Sequence, residues 1–248
     1  MMSEKGYRMI YKPKGMALEY APLALNPYIG CNHGCTYCYG PAAMRRPDFH
    51  DVIRPRKDFL KKLALDIRDM KAENDKRQVL LSFATDPYNE LEPKLKLTRN
   101  ALMMLSKAEI PFTVLTKSDF AEDDFDLYSA TRDSFGVSLT TMNVAKADRW
   151  EPDAAKPWKR SEQLERAKRD GISTWVSLEP VMDSVEAMAV IYNVHEFTDV
   201  IKIGKLNHQQ PEKPIDWQKF AFDAVELCEK LGQKYILKDS LAKYLGAE

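Results

Sequence analysis

Three of the four cysteines, Cys31, Cys35 and Cys38, stand on one short stretch with the spacing C-x3-C-x2-C, and the fourth, Cys228, lies far away near the C-terminus. Three thiols so close together read as a metal site. A closed structural zinc site takes four ligands, whereas an iron–sulfur cube held by three cysteines leaves one iron open to a further molecule. A zinc knuckle would have to recruit His33 or the distant Cys228, because the second cysteine pair expected about 12 to 20 residues further on is missing. A disulfide framework fits less well, since three clustered cysteines cannot all pair and nothing in the chain marks it as secreted.

The elements that must carry this loop follow from the rest of the chain. Its 248 residues, 44% apolar and 30% charged, suffice for one large core. We expect residues 1–25 to be an N-terminal extension with a short first strand somewhere in 20–29, and residues 26–248 to form one domain. Beyond the loop, Phe59, Leu60, Leu63, Ile67 and Met70 recur at helical spacing with Asp58 as N-cap. Apolar runs then alternate with helical patterns. Strands are expected at 79–84, 112–115, 135–140, 174–178 and 200–203, with a further short one at 235–237. Helices are expected at 97–107 from a Thr98 cap, from near Ser118 through Ala130, at 161–169, from Asp183 or Ser184 onward, and at 216–231, stopped by Gly232. Continuous apolar runs joined by helices indicate parallel strands covered by helices, in about six strand–helix units. In such folds ligands gather at the C-terminal ends of strands. Polar residues do cluster there: Thr85 and Asp86, then Thr116-Lys117-Ser118, Ser138 with Thr140, Glu179, and Lys205 with Asn207.

The cysteine spacing, with the aromatic Tyr37 just before the last cysteine, resembles that of the radical SAM superfamily. Asn26-Pro27-Tyr28-Ile29-Gly30-Cys31, Thr85-Asp86-Pro87-Tyr88 with Glu92, Leu97-Thr98-Arg99 and Thr116-Lys117-Ser118 are similar to its spore photoproduct lyase-like branch, over about residues 26–207. The resemblance implies an α/β fold, a partial (βα)6 TIM-type barrel of parallel strands with the cluster loop after the first strand. It implies a [4Fe–4S] cluster on Cys31, Cys35 and Cys38, with S-adenosylmethionine on the fourth iron and an electron donor such as flavodoxin or ferredoxin. Cleavage of that ligand would give a 5′-deoxyadenosyl radical for hydrogen abstraction. It further implies Tyr37 beside the adenine, Thr85 and Asp86 in the place of the superfamily's methionine-binding turn, Lys117 on the carboxylate, Ser138 on the same ligand and Glu179 near the ribose. Tyr39 matches a tyrosine associated with hydrogen relay, so it is the candidate catalytic residue.

The substrate is less constrained. The lyase repairs a thymine photodimer in DNA with a cysteine just ahead of its second-strand turn, whereas this chain has Ser82-Phe83-Ala84 there. Cys228 shares a helical face with Phe220, Ala221, Ala224 and Val225 and reads as a core residue. His33, on a loop, is expected to face solvent. Lys202, Lys205 and Lys238 sit near strand ends within reach of a substrate. The net charge is zero, with 37 basic and 37 acidic residues, yet Arg45, Arg46, Arg54, Arg56, Lys57, Lys61 and Lys62 crowd after the cysteine loop and suit phosphates. Three classes stay open: a radical SAM enzyme on a nucleic acid or nucleotide, one on a protein, peptide or small metabolite, and a non-catalytic iron–sulfur or zinc protein. No apolar run approaches a membrane span, so a cytoplasmic location without membrane partners is expected. The oligomeric state is not specified.

Overall fold

The computed structural model describes residues 8–207, 211 and 213–246. After a 3₁₀ turn at Gly15–Glu19 come β1 (Leu23–Leu25), β2 (Tyr28–Ile29), the cysteine loop, α1 (Gly40–Ala43), β3 (Arg54–Pro55) and α2 (Phe59–Ala72). Next are β4 (Val79–Leu81), α3 (Glu92–Leu95), α4 (Leu97–Lys107), β5 (Phe112–Thr116), a 3₁₀ segment (Ala121–Leu127) and β6 (Ser134–Ser138). Then follow α5 (Val144–Trp150), α6 (Pro157–Arg169), β7 (Ser173–Val181), α7 (Ser184–Val194), β8 (Val200–Lys205), α8 (Trp217–Leu231), β9 (Tyr235–Leu237) and α9 (Asp239–Ala242).

Seven strands form one parallel sheet in the order β1-β4-β5-β6-β7-β8-β9, so its strands are neighbours in chain order and β1 and β9 are its two edges. This is the partial barrel the sequence led us to expect, its six crossovers closed by the short seventh strand. The small ribbon of β2 and β3 is antiparallel and stands apart from it. Of the stretch expected as an extension, the described residues 8–25 pack onto this sheet and α2. β1 pairs with β4, Tyr11 bridges Ala24, and Ile10 is fully buried. The backbone N–H groups of Arg8, Met9 and Ile10 all donate to the buried Asp66 of α2.

Alternation along the strands separates two environments. Leu25, Leu81, Val114, Val137, Val176 and Ile203 face outward into the main core, where they meet Leu63, Leu102, Leu164, Val190 and Phe220 of the helices. Each such buried side chain contributes about 1.5–3 kcal/mol relative to exposure. The inner face carries small and polar groups around Ala24, Leu80 and Trp175, with Tyr20 laid across them. Gly136 makes this possible, because a Cβ there would come within 2.3 Å of the Trp175 ring.

Local signals held in part. Asp183 caps α7 through the N–H groups of Val185 and Glu186, and Asp216 caps α8 through that of Lys219. Gly232 ends α8 in the left-handed region, at φ 66°. Asp58, expected as the cap of α2, has φ 56° and makes no capping bond. Thr98 does not cap α4 either. The Glu92 carboxylate accepts the N–H groups of Thr98 and Arg99 and does so in its place. The helix expected from Ser118 to Ala130 is only the 3₁₀ segment, which packs against α4 and α6. The helix expected at 161–169 starts earlier, at Pro157, whose ring suits a first helical turn.

Candidate active site

A cavity of about 330 Å³ opens where the strands of the sheet end, and Cys31, Cys35 and Cys38 all line it. The loop that presents them is fixed by close backbone approach. Gly30 has φ 83°, and a Cβ there would lie 2.4 Å from the Val52 carbonyl oxygen. Cys31 N–H donates to the Phe49 carbonyl and Thr36 N–H to that of Trp150, at 3.0 and 2.9 Å. The His50 ring nitrogen Nδ1 bonds the Cys31 carbonyl at 2.8 Å, and Gly40 N–H points at Cys38 Sγ at 3.3 Å.

These thiols fit an iron–sulfur cluster. Burial pushes Cys31 and Cys35 up to about 12, and Cys38 upward as well. Alone they stay protonated, and they become thiolates only against strong positive charge such as iron. Among the described residues no three His, Cys, Asp or Glu side chains close on a single ion. All three cysteines line one cavity, where they could serve as the three thiolate ligands of an iron–sulfur cluster.

The expected ligand-binding residues meet the same cavity. Thr85, Asp86, Lys117, Ser138 and Glu179 line it, with Tyr37 and Tyr39. Asp86 is heavily engaged: Oδ1 accepts from Tyr88 N–H at 2.9 Å and Thr116 Oγ1 at 2.7 Å, and Oδ2 from Lys117 N–H at 2.8 Å. His33 Nδ1 lies 3.5 Å from the same Oδ2. His33 is therefore buried rather than solvent-facing, because Asp86 supplies a partner, and burial lowers its pKa. The Lys117 ammonium has no hydrogen bond or ion pair among the described residues and lies 5.6 Å from the centre of the Tyr37 ring. Burial opposes its charge, but Cys35 and Glu151 nearby more than compensate and raise its pKa. The Thr85 hydroxyl is buried with no partner among the described residues.

Two further groups escaped the sequence reading. Glu151 and Arg160 form a buried ion pair at 2.6 Å. The Tyr37 hydroxyl donates to Glu151, and Arg160 also donates to the carbonyls of Ser138 and Ala155. Arg160 shares the buried face of α6 with Leu164 and Ala167, and a charge on an apolar stripe was the available signal. On the other side, Glu179 lies within β7, precedes a cis bond to Pro180 and accepts from the Tyr20 hydroxyl and from Lys238 Nζ, the latter at 2.6 Å. Gly204 leaves room for it, since a Cβ there would lie 2.6 Å from the Glu179 carboxyl group.

Other motif residues brace the site. Asn26 Oδ1 accepts the N–H groups of Phe83 and Ala84, both at 3.1 Å, which ties the second-strand turn to the start of the cluster loop. The Tyr28 hydroxyl donates to Glu92, the Tyr88 hydroxyl to Asp124, and Arg99 pairs with Asp124 and Asp126. Tyr39 is 40% exposed and donates to the Phe83 carbonyl at 2.9 Å. Cys228 is buried in the core, as expected.

A parallel partial barrel with a three-cysteine loop at its ligand-binding end defines a class of cofactor-dependent α/β enzymes. The Radical SAM superfamily model matches residues 25–188, and the chain belongs to that superfamily. An uncharacterised protein of Methanocaldococcus jannaschii is 29% identical over 197 residues, spanning 75% of this chain and 71% of that protein. An uncharacterised protein of Acidianus two-tailed virus is 29% identical over 237 residues, spanning 86% and 77%. Among solved structures, a spore photoproduct lyase aligns with TM-score 0.74 at 10% identity over 96% of this chain and 80% of that one. Streptococcus suis SuiB bound to S-adenosylmethionine aligns with TM-score 0.65 at 11% identity over 86% of this chain, which spans under half, 46%, of SuiB. The superfamily implies a [4Fe–4S] cluster, S-adenosylmethionine and a reductant. Among the described residues no helix is long and apolar enough to cross a membrane.

Proposed function

We propose that the chain is an enzyme that holds a [4Fe–4S] cluster on Cys31, Cys35 and Cys38 and binds S-adenosylmethionine beside it. When bound and reduced by a flavodoxin- or ferredoxin-type donor, these groups supply a 5′-deoxyadenosyl radical that abstracts hydrogen from substrate. The observation that carries this reading is the meeting, in one cavity, of the buried Cys31 and the half-buried Cys35 and Cys38 with a Lys117 ammonium that has no partner among the described residues. Lys117 offers the charge that the ligand's carboxylate needs, and Thr85 and Ser138 offer hydroxyls. Asp86 offers the negative charge for its ammonium, and His33, at 3.5 Å the longest of its contacts, is the group that gives way. Tyr37, held by Glu151, would flank the adenine, and Glu179, held by Lys238, the ribose. Tyr39 would relay hydrogen at the cavity mouth.

For substrate we favour a nucleic acid or nucleotide over a peptide or metabolite. Arg45, Arg54, Arg56 and Lys57 have no ion-pair partner among the described residues, which leaves them available to phosphates. A salt-sensitive mobility shift with DNA or RNA tests this part; its absence turns the search to peptides and metabolites.

The chemistry is tested by anaerobic reconstitution, reduction with S-adenosylmethionine and assay of 5′-deoxyadenosine. Cys31→Ala, Cys35→Ala or Cys38→Ala should abolish both the cluster absorbance and the nucleoside. Lys117→Met should keep the cluster and weaken S-adenosylmethionine binding at least about tenfold. A fully loaded wild-type cluster that neither binds nor cleaves the ligand would leave a metal-binding protein without this catalysis.

A further inference from the structure

The family-matched stretch ends at residue 188, but the cavity continues beyond it. Lys14 and Tyr20 from before that stretch, and Lys205, Leu206 and Lys238 from after it, also line the cavity. These residues bring three lysines to the lining. Lys238 is engaged by Glu179 at 2.6 Å and Glu19 at 3.1 Å. Lys205 and Lys14 have no carboxylate partner among the described residues.

Lys205 is the more fixed of the two. It ends β8, donates from Nζ to the Tyr244 hydroxyl at 3.0 Å, and lies over the rings of Trp217 and Tyr244, 5.1 and 5.3 Å from their centres. Ring faces hold a cation without neutralising it, and one hydroxyl uses one of its three N–H donors. Leu206, the next residue, packs with Trp150 and Met182 against Tyr37. Lys205 thus adjoins the side of the cavity assigned to the cofactor ligand.

The charges elsewhere in the cavity are already matched. Asp86 and Glu179 have their donors, Lys117 meets the ligand's carboxylate, and the thiolate-held cluster and the sulfonium are of opposite sign. What is left over is positive. We propose that Lys205, together with Lys14, forms an anion-binding subsite for the substrate, which carries a phosphate or carboxylate group. This rests on the reading of the cavity as an S-adenosylmethionine and substrate site. It adds a specificity residue from outside the family-matched stretch.

The test is a calorimetric titration of the reconstituted enzyme, pre-saturated with S-adenosylmethionine, with pyrophosphate and separately with citrate at constant ionic strength. One of the two anions should bind, Lys205→Met should weaken it about tenfold, and Lys205→Arg should retain most of the affinity. Preference for pyrophosphate assigns a phosphate-bearing substrate, and preference for citrate a carboxylate-bearing one. Unchanged affinity in Lys205→Met, or no binding of either anion to the wild type, overturns the proposal. Where Lys205→Met fails to fold, Lys14→Met and Tyr244→Phe carry the test with expected losses of about threefold each, and unchanged affinity in both overturns it. The pre-saturation step reports S-adenosylmethionine binding by itself. A failure of the cofactor reading therefore shows before any anion is added.

Discussion

Arg160 of α6 and Lys202 of β8 are both cations drawn back from solvent, and their surroundings are opposite. Arg160 is 1% exposed, paired with Glu151 at 2.6 Å, and donates to two backbone carbonyls at 2.8 and 2.7 Å. Lys202 has no carboxylate partner among the described residues; its Nζ reaches the Tyr20 carbonyl at 3.1 Å and lies 4.7 Å from the centre of the Trp175 ring. The contrast runs through the cavity. On the side of Asp86 and Glu151, both carboxylates are satisfied within the protein, which sets Tyr37 in place before any ligand arrives, and Lys117 is the cation there kept for the ligand. On the side of β8, Lys202 within the strand and Lys205 at the cavity are cations without a carboxylate partner among the described residues, and an anionic ligand in the cavity would face Lys205.

Removing one partner on the matched side should therefore have the largest effect on stability. Arg160→Met leaves the Glu151 carboxylate buried without its cation, which should cost about 3–5 kcal/mol in urea unfolding. The double variant Arg160→Met/Glu151→Met should recover most of that loss, because the penalty lies in the uncompensated charge. A loss below about 1 kcal/mol for the single variant would mean that the pair is not the brace it looks like.

On the other side the sign should reverse. Burial, with Lys238 nearby, pushes Lys202 down to about 8 from its ordinary 10.5. The unfolded chain therefore takes up this proton at higher pH than the folded one, and folding loses stability as pH falls from 10.5 toward 8, with the full cost present below 8. Lys202→Met should raise stability at pH 7 by up to about 3 kcal/mol, and the gain should shrink above pH 8 and vanish beyond 10.5. Denaturant melts at pH 7 and pH 10 measure it. A variant less stable than wild type at pH 7 would show that the aromatic contacts outweigh desolvation.

How much of this was legible in the sequence follows from how local each signal is. The cysteine loop, the helix starts near Asp183 and Asp216 and the Gly232 stop depend on residues a few positions apart, and they stand where the local sequence put them. The polar strand ends converge because parallel strands in chain order bring every C-terminal end to one side. What was missed depends on partners from far along the chain. His33 is buried because Asp86 lies beside it, and Glu92 serves Tyr28 and the start of α4 in the place expected of Thr98. Glu151 and Arg160 look like a loop acid and a surface base until α6 turns its buried face toward β6. Asp58 was misread for a different reason: residue type suggested a cap, but the backbone there is left-handed.

The smallest effect is expected at the floor where the two sides meet. Trp175 reaches across the inner face of the sheet, donates its indole N–H to Thr113 Oγ1 at 2.9 Å and supports Lys202, and it fits because residue 136 has no side chain. Gly136→Ala should push the ring aside and cost about 1–3 kcal/mol in denaturant unfolding. If the contact with the ring is the cause, Trp175→Phe, with its smaller ring, should make the same glycine substitution cost less, so that the two changes combine with less than their summed loss. Strictly additive losses would locate the strain in the β6 backbone instead. They would also detach the packing of the floor from the charge contrast above it, since Lys202 would then keep its aromatic support whatever residue 136 carries.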